Sequence, residues 1–266
     1  MKKVIKGMLI LLLTFLFIGC NDEKANNNES KVLKVGMELA YPPFEMSDKE
    51  GNPTGVSVDF AKMLARSMNK ELIIENIAWD GLIPSLKTGK IDIIISSMTI
   101  TDERKKSIDF SIPYAKSALA ILANKNSNIN SIEDLKEKTI AVKKGSTGHI
   151  YAKENFPNGN ILVFDKESTC VLEVVQGKAD GFLYDQLTIY RNHQNHKDTT
   201  VALLKPFQKD FEYWGVALRK DNTELKNQID QFITKAKEDG TFDDFAYKYL
   251  KDAKQTFDSL NIEFFF

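Results

Sequence analysis

A strand–helix–strand rhythm that runs once, breaks, and runs again constrains the fold of this chain more than any other feature. Residues 32–37 form a short apolar run that leads into acidic and aromatic residues. Across 56–68, Val58, Phe60, Ala61, Leu64, Ala65 and Met68 recur at helical spacing. Residues 72–77 read as the next strand and 79–86 as a short helix stopped by Gly89. Residues 91–95 are nearly all apolar, as a strand buried on both faces would be. This βαβαβ order predicts a mainly parallel sheet with helices on both faces. The pattern restarts with a strand at 139–142, the turn KKGSTG, a helix at 147–154, and then strand, helix and strand at 161–164, 169–175 and 181–184. Two apolar crossings, 118–123 and 211–218, separate the patterns. They imply two lobes joined by two strands: 32–117 with 214–266 as one lobe, and an inserted 118–213 as the other. Two helices are expected within 223–250, with Gly240 between them. The apolar tail INIEFFF is expected either to pack on the first lobe or to form an exposed adhesive end.

The N-terminus points to export. Lys2, Lys3 and Lys6 precede an apolar run at 8–18, and Gly19 stands directly before Cys20. This is the shape of a secretion signal, too short for a comfortable bilayer span. A cysteine after a small residue at the end of such a run resembles a bacterial lipoprotein cleavage site, although Phe17 stands where leucine is usual. The expectation is a signal peptide over 1–19 and a mature chain beginning at a lipidated, palmitate-bearing Cys20. Two or more acyl chains would hold it at a membrane surface. The segment NDEKANNNESK at 21–31 offers nothing apolar larger than alanine and reads as a flexible tether. A plain secreted protein with an incidental cysteine is the alternative.

Charge and composition remove several classes. The chain carries 36 basic and 37 acidic residues, and loss of the leader removes three lysines and no acid. A mildly acidic body gives no support for a nucleic-acid partner. Cys170 is the only cysteine after Cys20 and reads as a small buried hydrophobe in a helix. His149, His193 and His196 form no metal motif, the last two flanking a polar NHQNH turn. No cofactor is implied.

In open α/β sheets, ligands bind beyond the carboxyl ends of the strands, and clefts between lobes are favoured pockets. The stretches that matter are then 38–44, 96–104, 143–148 and 184–185. Arg104 is a fork-shaped cation suited to a carboxylate. Ser96, Ser97 and Thr99 supply hydroxyls, and Gly145, Ser146 and Thr147 form a helix-opening turn able to cradle an anion. Asp185 suits an ammonium group, and Tyr41, Phe44 and Trp79 offer aromatic surfaces. Together these describe a pocket for a zwitterion with a variable side group. Each also has a plainer reading: Arg104 in a solvated helix start, KKGSTG as an ordinary turn, Asp185 as a helix cap, Phe44 and Trp79 as core.

The motifs AYPPFEM at 40–46, GVSVDFAKMLA at 55–65, WDGLIPSLKTGKIDIIISSMTITDERKKSIDFSIPY at 79–114, KKGSTG at 143–148 and GKADGFLYD at 177–185 resemble the polar amino acid-binding family of bacterial ABC transporter solute-binding proteins. The resemblance spans 33 to about 250. It implies an α/β, two-lobed periplasmic binding protein fold of type II, with two hinge-crossing strands and a ligand cleft between lobes. It further implies that Arg104 clamps a ligand α-carboxylate, assisted by Ser97 and Thr147. Thr99 and Asp185 would hold the α-ammonium, Tyr41 and Trp79 would enclose the side chain, and Glu38, Lys143 and Tyr184 would tune side-chain choice. Arg104 and Asp185 come from different lobes, so a ligand bridging them would tie closure to binding, and Arg104 is expected to be exposed in an open cleft.

Glu38 favours a cationic or amide side chain, whereas Lys143 opposes a cation unless the two pair with each other. A pocket bearing both signs suits glutamine or another polar amino acid best, with lysine, arginine and histidine as the runner-up. The expected partners are a free L-amino acid, an ABC importer permease and a membrane surface reached through Cys20, and the expected assembly is a monomer. Three other classes share this framework: a cyclohexadienyl or arogenate dehydratase, for which Glu38 is the one nameable general acid; an amino acid sensor module, which would need a separate signalling partner; and an adhesive surface lipoprotein, supported only by the FFF tail.

Overall fold

The computed structural model describes residues 31–266; the expected leader, Cys20 and residues 21–30 of the tether lie outside the described residues. The chain enters through β1 (Val32–Met37) and a small antiparallel meander of β2 (Ala40–Tyr41), β3 (Glu45–Ser47) and β4 (Pro53–Thr54). It continues through α1 (Val56–Ser67), β5 (Glu71–Asn76), α2 (Trp79–Lys87), β6 (Ile93–Ile94), α3 (Asp102–Lys105) and β7 (Asp109–Phe110). β8 (Ala115–Ser117) then leaves this lobe. The second lobe holds β9 (Leu119–Asn124), β10 (Thr139–Lys143), α4 (Thr147–Asn155), β11 (Asn160–Phe164), α5 (Glu167–Val175), β12 (Gly181–Asp185), α6 (Gln186–Asn195) and β13 (Thr200–Leu203). β14 (Glu212–Trp214) and β15 (Ala217–Leu218) lead back to α7 (Thr223–Glu238), α8 (Thr241–Tyr249) and α9 (Lys251–Ser259).

Two five-stranded sheets result, ordered β5-β1-β6-β15-β7 and β11-β10-β12-β9-β13. In each, the strands of the βαβαβ unit pair in parallel and the strands contributed by the crossings pair antiparallel. The reason is local. Helices α1, α2, α4 and α5 fill the long connections that parallel pairing needs, and strands without a crossover helix can only run the other way.

Helix α1 shows how the pattern becomes packing. Val58, Phe60, Ala61, Leu64 and Ala65 are buried, while Lys62 and Arg66 face solvent. Fully burying a side chain of the size of Phe60 contributes roughly 1.5–3 kcal/mol relative to exposure. The helix stops at Asn69, whose left-handed φ of 52° lets the Lys70 N–H reach the Ala65 carbonyl at 2.9 Å.

Three details depart from the sequence reading. Most of the crossing expected at 118–123 lies in β9 (Leu119–Asn124), an interior strand of the second sheet, so the lobe-to-lobe crossing is made by β8, paired antiparallel with β14. His193 lies in the last turn of α6 and His196 caps it, so no NHQNH turn exists; Asp185 starts the helix and buried Leu187 and Ile189 carry it forward. A third C-terminal helix, α9, follows Leu250, and its buried Ala253 and Phe257 dock it on the first lobe.

The apolar tail packs. Phe265 is buried in the first lobe's core against Phe44, Trp214 and Phe257, and its carbonyl accepts the Lys116 N–H of β8 at 2.8 Å. Phe266 lies against Phe242. These contacts oppose the reading of the tail as an adhesive end.

Candidate functional site

The carboxyl ends of β1, β6, β10 and β12 converge on one cavity of ≈ 50 Å³ between the lobes. It is lined by Glu38, Tyr41, Trp79, Ser96, Ser97, Thr99, Arg104, Thr147, Tyr184 and Asp185 among others, so ten of the eleven ligand residues named from sequence reach the same space. Lys143, the eleventh, touches it through a partner, since its ammonium pairs with the Glu38 carboxylate and stands 5.4 Å from the Trp79 ring centre. Both members of that pair are largely buried, their side chains 5 % and 15 % exposed.

Arg104 sits in the short helix α3, capped by the Thr101 hydroxyl at 3.2 Å. It is buried, not exposed in an open cleft as expected, because the lobes touch across the cleft in this structure. Its Nη1 donates to the Thr99 carbonyl at 2.7 Å and its Nη2 to the Gly145 carbonyl of the other lobe at 3.1 Å. Trp79 lies 5.2 Å away beneath the guanidinium. Burial lowers the Arg104 pKa to about 10, which leaves the group a cation at neutral pH. The lobes also meet where Lys144 approaches Asp80 at 3.2 Å and where Arg191 donates to the Pro42 carbonyl.

Asp185 closes the opposite side. One carboxylate oxygen caps α6 by accepting the Thr188 N–H at 3.0 Å. The other is buried with no hydrogen-bond partner among the described residues. Burial pushes this carboxyl's pKa up, while Thr188 and the nearby Tyr41 hydroxyl draw it partly back. A buried acceptor without a donor is costly, and a ligand cation would relieve it. The helix cap therefore engages one oxygen of this side chain and leaves the other without a donor among the described residues.

The turn after β10 meets this wall closely. Gly145 takes a left-handed φ of 71°, and the Ser146 hydroxyl caps α4 by accepting the His149 N–H at 3.2 Å. A Cβ on Gly148 would lie 2.2 Å from the Leu183 carbonyl oxygen, so only glycine lets the first turn of α4 settle against β12. Thr147, the first residue of α4, is thereby brought beside the cavity.

The aromatic assignments divide. Tyr41 lines the cavity with Tyr184 edge-on at 6.2 Å, and Trp79 lines it beside the two cations. Phe44 does not: it is fully buried, stacked beneath Tyr41 at 5.5 Å, and belongs to the core.

Two acidic residues were missed from sequence. Glu45 is buried and accepts hydroxyl hydrogen bonds from Ser57 at 2.5 Å, Ser96 at 3.4 Å and Ser97 at 3.1 Å. It thereby holds Ser97, whose φ of 49° is unusual for a residue with a side chain. Burial raises its pKa to about 8 despite those hydroxyls. Glu212, on β14, accepts the Thr99 hydroxyl at 3.2 Å and the Thr147 hydroxyl at 3.0 Å, and burial raises its pKa to about 7. A charged residue inside the otherwise apolar crossing FEYWGVAL was the available signal for Glu212. Glu45 had none, since its partners Ser96 and Ser97 lie about fifty residues away. Ser146 and Trp214 complete the lining.

Residues 33–252 match the bacterial extracellular solute-binding proteins, family 3. The chain belongs to this family. It is 32% identical over 224 residues to the L-cystine-binding protein TcyJ of Escherichia coli strain K12, covering 84% of each chain. It is 31% identical over 246 residues to ABC transporter arginine-binding protein 1 of the same strain, covering 91% of this chain and 96% of that one. Among solved structures, an ancestral arginine-binding protein bound to arginine superposes with a TM-score of 0.77 at 33% identity, over 83% of this chain and 98% of the other. The ancestral amino acid-binding protein AncCDT-1, a precursor of cyclohexadienyl dehydratase, superposes with a TM-score of 0.74 at 36% identity, over 82% and 95%. The two-lobed type II architecture expected from sequence is therefore shared with these neighbours.

Proposed function

We propose that this protein is the extracytoplasmic receptor of an ABC importer for a polar L-amino acid, which it binds by closing its two lobes. One observation carries the reading: Arg104 on one lobe and Asp185 on the other, one of whose carboxylate oxygens has no partner among the described residues, line a single cavity. A zwitterion supplies the carboxylate and the ammonium that this pair asks for. Ser97 and Thr147 would assist Arg104, and Thr99 would assist Asp185. Tyr41, Trp79 and Tyr184 would enclose the side chain. Residues 32–117 with 214–266 would move as one body against 118–213, about β8 and β14.

The Glu38–Lys143 pair supports a neutral, polar side chain. Each charge already has its counter-ion, so an amide can bind both without leaving either unpaired. A cationic side chain is the second reading. It is favoured by the acidic residues lining the cavity, Glu38 and Asp185 together with Glu45 and Glu212 to the extent that these two ionise, against Arg104 and Lys143. Relatives named for cystine and arginine show that the family scaffold serves more than one side chain.

Dehydration chemistry is not part of this reading. The expected acid, Glu38, is held in an ion pair with Lys143. The dehydratase-related neighbour is itself described as an amino acid-binding protein. Lipid attachment at Cys20 and a monomeric state complete the proposal. A palmitate-labelled, membrane-bound product that becomes soluble on Cys20→Ala would support the anchor, and light scattering checks the monomer.

Calorimetric titration of refolded, ligand-stripped protein with each of the twenty amino acids tests the function. Tight binding of one or a few polar amino acids, with no turnover of prephenate or arogenate, is expected. Turnover of either compound, or no binding by a demonstrably folded protein, contradicts it.

A further inference from the structure

Glu212 occupies a position that none of the assigned binding roles requires. It stands on β14, the strand that returns from the second lobe to the first, and lines the cavity. One of its carboxylate oxygens accepts a hydroxyl from each lobe, Thr99 from the first and Thr147 from the second. Arg104 lines the same cavity and donates to the carbonyl of Thr99, whose hydroxyl Glu212 accepts, so one residue links the two groups. The protein thus already holds a carboxyl group of its own between the lobes, at the end of the cleft where a ligand carboxylate would approach Arg104.

We propose that Glu212 is an internal competitor for the ligand carboxylate, which leaves that role by taking up one proton from solvent when an amino acid binds. This inference rests on the amino acid-binding reading above. The physical argument is like-charge crowding. A ligand carboxylate beside Arg104 takes over the cation that stabilised ionised Glu212, and adds a second anion to the same low-dielectric space. Only the protonated acid can stay there at little cost, its carbonyl oxygen still accepting the threonine hydroxyls.

The groups facing Glu212 agree in direction. Arg104 favours its ionised form and is the group a ligand would engage, while Asp185 opposes ionisation from the second lobe. Across the cavity stand Glu45, Tyr41, Tyr184 and Glu38, the last neutralised by Lys143. In the ligand-free protein Glu212 titrates at about 7, so the exchange falls within an accessible pH range. The sign follows: below that pH Glu212 is already neutral and binding takes up little. Above it, binding requires a proton, and affinity falls about tenfold per pH unit for one proton.

The test is calorimetry on the full mature protein with L-glutamine, L-arginine, L-histidine and L-cystine as probes, from pH 5.5 to 8.5. Each titration is repeated in two buffers of different ionisation enthalpy. The wild-type protein should take up a fraction of a proton at pH 7, approaching one at pH 8.5, with affinity declining across that range. Glu212→Gln keeps an oxygen for both threonines. It should lose the proton uptake, flatten the pH profile, and bind about 30-fold more tightly than wild type at pH 8.5 while matching it at pH 5.5. A residue with a merely structural role would weaken binding at every pH. Glu45→Gln, the other raised carboxyl of the cavity, should retain the uptake. Proton-independent binding by the wild-type protein overturns the inference, as does unchanged uptake in Glu212→Gln. If the folded protein binds neither these probes nor any other of the twenty amino acids, the receptor reading itself falls and this inference with it.

Discussion

The two charged centres of the cleft are finished to different degrees. At one, Lys143 and Glu38 satisfy each other, and the neighbouring Trp79 ring covers the cation. At the other, among the described residues, Arg104 has only backbone carbonyls as side-chain hydrogen-bond acceptors and Asp185 has one carboxylate oxygen without a partner. A folded protein rarely leaves a buried oxygen bare unless something else is meant to meet it. The difference teaches where each part of a ligand belongs. In the proposed function the unfinished centre would read the carboxylate and ammonium common to all amino acids, and the finished pair would read the side chain that distinguishes them.

The largest expected effect removes the unfinished centre. Arg104→Ala should lower affinity for every amino acid by a hundredfold or more, in line with the ~2–5 kcal/mol lost when one partner of a buried charge contact is truncated. Retained wild-type affinity in a calorimetric titration would place the carboxylate elsewhere. Asp185→Asn keeps an oxygen for the α6 cap, so the fold should survive while affinity falls roughly 30-fold or more for all ligands. If the variant merely reordered ligand preference, Asp185 would belong with the side-chain readers.

The finished pair should respond differently. Lys143→Met exposes an uncompensated Glu38 and should move preference toward cationic amino acids. Glu38→Gln frees Lys143 and should move it toward acidic ones. Shifts of about tenfold in the ratio of affinities are expected, as for a rearranged charge pair of 1–2 kcal/mol. A uniform loss across all ligands would erase the distinction between the two centres.

How much of this was legible in sequence follows from distance along the chain. The strand ends were readable because each βα unit is local: the apolar run of β12 points directly at Asp185, and the turn after β10 at Thr147. The family motifs added the roles. Contacts between distant segments were not readable. Glu45 depends on Ser96 and Ser97 from another strand end, and Glu212 on one threonine from each lobe. Phe44 stayed open between pocket and core because an aromatic residue three positions from Tyr41 gives no sign of which face it turns inward. The burial of Arg104 depends on the lobes touching, a state no local pattern encodes. The tail's docking needed the hydrophobic surface that α9 and β14 build only after folding.

The smallest effects concern stability, not recognition. Glu45 has its pKa raised to about 8 by burial, so the folded protein holds this proton more tightly than the unfolded chain does. Stability should therefore be fully present below the unfolded-state value of about 4.5 and fall as pH rises toward 8. Urea midpoints of the ligand-free protein at pH 5, 7 and 9 should show that decline, and Glu45→Gln should reduce it. An unchanged slope in the variant would assign the decline to other groups.

The central claim is that the unfinished centre reads the zwitterion itself. Its most direct test takes the amino acid that binds most tightly and titrates, beside it, the methyl ester and the N-acetyl derivative of the same compound. The account predicts that each modification costs a hundredfold or more in affinity, the ester through Arg104 and the acetyl group through Asp185. Binding of either derivative as tight as that of the parent amino acid would contradict it.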